Sequence, residues 1–310
     1  MITNPTVLIL GAGASQPYGF PTGRELLLEI CDILLGRTPT QSAQQFVRDM
    51  IACVDDAGHL ERFRTQLYKS GKSSVDAFLE HRSEFVAIGK LAIARALIPR
   101  ECPDSLIETS RDSKSWYELL FNSLNSKFED FGNNNLAILT YNYDRSLEEY
   151  LFTSLKNAYD RTDEETASTL QQIPIIHLHG QLGYHPSQGN DIPNTKSYSP
   201  TIENLRRHAE GIKIINEADP QEQDFARAHK LLERARFVCF LGFGYDPVNL
   251  QRLKLPPTSE CRYFGSTYGL GEGQRSTAIN RLPGQRPNLR KLGGTEHDCF
   301  DYLRAVSILD

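Results

Sequence analysis

The 310-residue sequence has no stretch approaching the ~20 apolar residues that a membrane-spanning helix requires, and its N-terminus lacks a basic region followed by an apolar signal core. Both absences lead us to expect a cytoplasmic chain without membrane contact. Paired cysteines are missing as well: Cys31, Cys53, Cys102, Cys239, Cys261 and Cys299 stand singly, with no CxxC to clip a zinc ion or cycle as a dithiol. They read as reduced thiols packed as small hydrophobes, so no metal site is expected. Basic residues are not in excess, and a formal net charge of -5 leaves no global footprint for nucleic acid, so none is expected to bind directly. Internal repeats and low-complexity tracts are also lacking, which excludes a solenoid.

What is present belongs to an ordinary globular protein, with 39% hydrophobic and 24% charged residues. The length suits one nucleotide-binding domain enlarged by an insertion, and we expect a single domain over residues 1–310. Short β-branched and aliphatic runs recur at residues 6–10, 136–140, 173–177, 237–241 and 262–264. Helical or polar segments separate them. This alternation predicts an α/β, Rossmann-like fold: a mostly parallel sheet with helices on both faces and residues 6–10 as its central strand. Residues of about 25–130 instead show helical periodicity, over 23–35, 43–54 and 75–97, and predict a helical insertion. Pro99 and the polar stretch 101–115 interrupt it before a helix restarts at Trp116. Residues 183–200, rich in Gly, Pro, Asn and Ser, read as a mobile surface loop.

Four motifs fall at strand ends, where open α/β sheets place their ligands. Gly11-Ala12-Gly13-Ala14-Ser15 follows the first strand. Its glycines would let backbone N–H groups approach a diphosphate, or would simply make a tight turn. Tyr141-Asn142-Tyr143-Asp144 offers an amide and a carboxylate that would hold a sugar hydroxyl or a water, or would cap a helix. In His177-Leu178-His179-Gly180, period-two alternation puts both histidines on one face, so one is expected to reach the cleft of Asn142 as a base. A structural or metal-binding pair is the alternative. Leu241-Gly242-Phe243-Gly244-Tyr245-Asp246-Pro247 again combines glycines with a helix start at Asp246, and Ser266 ends a further strand where it would border an adenine or ribose.

Taken in order, GAGAS, TYNYD, HLHG and LGFGYDPVN resemble the sirtuin family, particularly its bacterial branch found in antiphage defence proteins. The resemblance implies a diphosphate loop at Gly11, Ala12, Gly13 and Ser15, with Thr22 nearby and Gly242, Gly244 and Asn249 lining the nucleotide. It implies that Asn142 holds the nicotinamide ribose or the attacking water, that His179 is the catalytic base and that Asp144 supports them. Two departures bear on the reaction. The zinc module of the family's protein deacylases is lacking, and Tyr18-Gly19-Phe20-Pro21-Thr22-Gly23-Arg24 replaces their GIPDFR-like segment, with Thr22 at the acidic position. Both point from deacylation toward hydrolysis of NAD to nicotinamide and ADP-ribose. The alternatives are a deacylase or ADP-ribosyltransferase and a non-catalytic NAD or ADP-ribose sensor. The resemblance further implies a homo-oligomer under control, with a separate activator such as a HerA-type ATPase.

Overall fold

A computed structural model describes residues 1–54, 56–112, 114–185, 188, 201–214, 223–256, 261–283 and 290–309. Most of the 183–200 stretch read as a loop lies outside the described residues. Six strands form one parallel sheet: β1 (Thr6–Leu10), β2 (Leu136–Thr140), β3 (Ile175–His177), β4 (Phe237–Leu241), β5 (Arg262–Gly265) and β6 (Arg290–Leu292), in the order β3-β2-β1-β4-β5-β6. The order reverses beside β1, which pairs with β2 on one side and β4 on the other. A crevice opens at the carboxyl ends of β1 and β4, the topological switch point of such sheets.

β1, β2 and β4 are buried along their whole lengths because both faces of the sheet are covered. Alternation divides their side chains: Leu8, Leu10, Leu136 and Ile138 face one core, and Val7, Ile9, Ala137 and Leu139 face the other. The first core is completed by a thick helical layer comprising α1 (Gly23–Leu34), α2 (Gln41–Cys53), α3 (Ala57–Lys69), α4 (Val75–Leu79), α5 (Val86–Leu97), α6 (Pro103–Asp112), α7 (Trp116–Ser123), α8 (Ser146–Tyr159), α9 (Asp163–Leu170) and α10 (Ile202–Glu210). The second core packs against α11 (Gln223–Arg234), α12 (Pro247–Leu253) and α13 (Glu272–Arg281), while α14 (Cys299–Ala305) returns to the first. No helix among the described residues is long and apolar enough to cross a membrane.

Three details depart from the expectations. The helix expected over 75–97 breaks into α4, a 3-10 turn over Ser83–Phe85, and α5. The break lets Phe78 and Phe85 stack on each other, centroids 5.9 Å apart, while both meet Phe63. The polar stretch 101–115 is largely α6, started by Pro103 at its first position and anchored through buried Leu106. β3 begins at Ile175 rather than 173, after Pro174, which has no N–H to give and offers only its carbonyl to the Ile138 amide.

Candidate active site

The loop after β1 and the loop after β4 interlock at the switch point. Gly11 and Gly13 donate their amides to the carbonyls of Leu241 and Gly242, and Ala14 and Ser15 donate back to Gly11 and Ala12. A Cβ on Gly242, which has φ of 56°, would sit 2.0 Å from the Ala14 nitrogen. These glycines therefore permit the chain's own backbones to meet. Four of the five amides of residues 11–15 are thus taken up by the chain's own carbonyls. Trp116, the sole tryptophan, braces the loop by donating Nε1–H to the Ala14 carbonyl at 2.7 Å.

Asn142 follows β2 and is held by both of its amide protons. Nδ2 donates to the Gly11 carbonyl at 3.1 Å and to Ser15 Oγ at 3.0 Å. Because a carbonyl only accepts, the amide's orientation is fixed, and Oδ1 must point away. That oxygen is buried and has no partner. Ser15 in turn donates to Asp144 Oδ1 at 3.2 Å, and the same oxygen accepts from the Ser146 hydroxyl. Burial, reinforced by the charges of Glu101 and Glu148, pushes the Asp144 carboxyl up to about 6. Asp144 thus acts through Ser15 to orient Asn142.

The two histidines after Ile176 diverge. His177 ends β3 and turns toward α8, where Nε2 meets Glu148 at 2.6 Å and Nδ1 donates to the Asn142 carbonyl at 2.8 Å. Burial alone would lower its pKa, but the Glu148 carboxylate, the Asn142 carbonyl and the Asp144 charge together outweigh burial and raise it, while Glu148 is held below the usual carboxylate range. His179 lies beyond the strand, where alternation no longer holds. Gly180, with φ of 70°, turns the chain immediately after it. The imidazole sets its edge against the Tyr141 ring at 4.9 Å between centroids, and its Nε2 is buried without a partner. Burial, then the nearby positive charge of Arg252, lowers its pKa to about 4, so it is neutral at pH 7.

Both groups line a cavity of about 340 Å³ at the switch point. Of the residues singled out from sequence, Gly11, Ala12, Asn142, Asp144, His179, Gly244 and Asn249 line it. Gly13, Ser15, Gly242 and Ser266 stand behind its wall: Ser266 Oγ accepts from the Gly242 amide at 2.9 Å and steadies that turn. Thr22 caps α1, donating its amide and hydroxyl to Glu25. Asn249, whose backbone amide is capped by Asp246 Oδ1, contributes a third buried polar atom without a partner, Oδ1. Sequence reasoning missed the residues that the helical layer brings to the cavity, Leu26, Ser74, Asp76 and Leu97. Those positions carry no local signature, since α1, α4 and α5 reach the cleft only through tertiary packing.

A larger cavity of about 680 Å³ runs along β3, but the histidine it exposes, His177, is already paired with Glu148. The smaller cavity has the unpaired groups and is the better candidate for chemistry. Among the described residues no cluster of three or more His, Cys, Asp or Glu could hold a metal ion.

No curated protein matches the chain. A family model for SIR2-like domains matches residues 136–253, a little over a third of the sequence. The match begins at β2 and ends with α12, taking in Asn142, Asp144, His179, Gly242, Gly244 and Asn249 and leaving out the loop after β1 and most of the helical layer. The stretch that supplies most of the unpaired groups in the cavity is therefore the stretch similar to a SIR2-like domain.

Proposed function

We propose that the chain is an NAD hydrolase that cleaves the nicotinamide–ribose bond to give nicotinamide and ADP-ribose. One observation carries the proposal: Asn142, His179 and Asn249, which line one cavity at the sheet's switch point, each bury a polar side-chain atom without a partner. Each such atom costs about 1–3 kcal/mol unless a ligand pairs with it. The similarity of residues 136–253 to a SIR2-like domain supports NAD as that ligand.

Asn142 accepts a hydrogen bond from a ribose hydroxyl or from the attacking water and holds it in place. Water attacks C1′ of the ribose as the bond from C1′ to the ring nitrogen breaks, and the bonding pair leaves with neutral nicotinamide. His179 takes the proton released by the water. A base with a pKa of about 4 suffices, because the water oxygen becomes strongly acidic once bonded to the electron-poor carbon. Tyr141, Phe20 and Phe243 give the cavity an aromatic lining beside these polar groups.

The resemblance to the antiphage-defence branch supports NAD depletion as the biological outcome, in a single domain with its helical insertion that acts as a homo-oligomer under a separate activator such as a HerA-type ATPase. Copurification with that ATPase tests the partner. Chromatographic analysis of NAD incubated with the purified chain tests the reaction: nicotinamide and ADP-ribose in equal amounts are expected, and acyl-ADP-ribose formed only with an acylated peptide would replace hydrolysis by deacylation.

A further inference from the structure

The helical layer sends one ionisable group into the cavity. Asp76, the second residue of α4, lines the cavity together with Ser74, and its Oδ1 accepts the hydroxyl of Tyr143, the residue between Asn142 and Asp144. Ser74 is occupied as the α4 cap, accepting the Ala77 amide at 3.1 Å. Around the pair, Phe20, Leu26 and Leu97 present apolar surface. Asp76 keeps part of its surface open to the cavity, yet the surrounding protein pushes its carboxyl above the usual range. Its side-chain partner among the described residues is Tyr143, with no ion pair to a cation. A carboxylate in an apolar wall, with one oxygen tied by a tyrosine, is costly to keep unless the ligand offers it a hydrogen.

Resting on the NAD proposal, we infer that Asp76 is a substrate-selecting residue: it accepts a hydrogen bond from a neutral N–H or O–H donor of the bound dinucleotide and repels an anionic group at the same point. Two parts of NAD offer such a donor, the carboxamide of the nicotinamide ring and the ribose hydroxyls. Tyr143 positions the carboxylate, so the insertion and the loop carrying Asn142 build this contact together.

The test is titration calorimetry on the full chain carrying His179→Ala, which binds without turnover, with and without Asp76→Asn. Loss of the carboxylate's charge and of one of its two acceptor oxygens is expected to weaken NAD binding about tenfold, with the thermal transition of the folded chain retained. Asp76→Glu, which restores the carboxylate, recovers part of the affinity and guards against a folding artefact. If the carboxamide is the partner, the nicotinic-acid form of the dinucleotide binds His179→Ala about tenfold more weakly than NAD, and Asp76→Asn closes that gap. If a ribose hydroxyl is the partner, Asp76→Asn weakens both dinucleotides alike and leaves the affinity of the deoxyribose analogue unchanged. Unchanged affinity for every ligand on Asp76→Asn overturns the role of Asp76 and leaves the NAD proposal standing. No binding of NAD by His179→Ala or by the unsubstituted chain overturns both.

Discussion

The carboxyl end of the sheet carries buried polar side chains toward both α8 and the cavity, and the two sides treat them in opposite ways. Toward α8, Glu101 meets Arg145, Glu148 meets His177 and Glu149 meets His185, each partner almost wholly inaccessible to solvent. Toward the cavity, Asn142, His179 and Asn249 each bury a polar atom that nothing satisfies. His177 and His179 stand on opposite sides of this divide although only one residue separates them. The paired side fixes geometry, holding the Asn142 carbonyl through His177 and the Arg145 amide through Glu101 at 2.7 Å. The unpaired side is where a ligand completes the hydrogen bonding.

The two sides should differ most in what they contribute to stability. Arg145→Met leaves Glu101 buried without its cation and is expected to lose about 3–5 kcal/mol of unfolding free energy in urea. His179→Ala, on the unpaired side, is expected to change stability by no more than about 1 kcal/mol. Equal losses would erase the distinction between the sides.

A smaller effect follows from pH. Asp144 titrates at about 6 when folded, above its ordinary 3.8, so its penalty is absent below about pH 4 and complete above about pH 6. His179 runs the other way: its folded pKa of about 4 lies below 6.5, so its penalty is complete below about pH 4 and gone above about pH 6.5. Asp144→Asn should therefore gain stability relative to the unsubstituted chain as pH rises from 4 to 6, by up to about 3 kcal/mol. His179→Ala should gain as pH falls across the same window. Urea unfolding at pH 4, 5, 6 and 7 reads both slopes, and slopes of the same sign would contradict the assignment. The smallest effect is that of Ser15→Ala, which cuts the link from Asp144 to Asn142 but leaves the Gly11 contact. An about tenfold slower release of nicotinamide is expected in single-turnover assays, with substrate binding little altered.

Much of this was legible in the sequence because strands buried on both faces read as uninterrupted apolar runs. β1, β2 and β4 begin and end where those runs do. β6 went unseen, since Arg290-Lys291-Leu292 has no such run. Strand-end motifs located Asn142, Asp144 and His179, but alternation could not separate His177 from His179, because the strand stops between them. Glycines 11, 13 and 242 read as room for a ligand, whereas in the fold they make room for each other's loops. Asp76 had no signal at all: its meaning depends on Tyr143, 67 residues away.

In the proposed reaction Asn142 and His179 perform the cleavage through their unpaired atoms. Nicotinamide release from NAD by the purified chain, compared with Asn142→Ala and His179→Ala, tests it most directly. A fall of about 10²–10⁴ in each variant, with both still folded, is the predicted result. Release at the unsubstituted rate by both would contradict it.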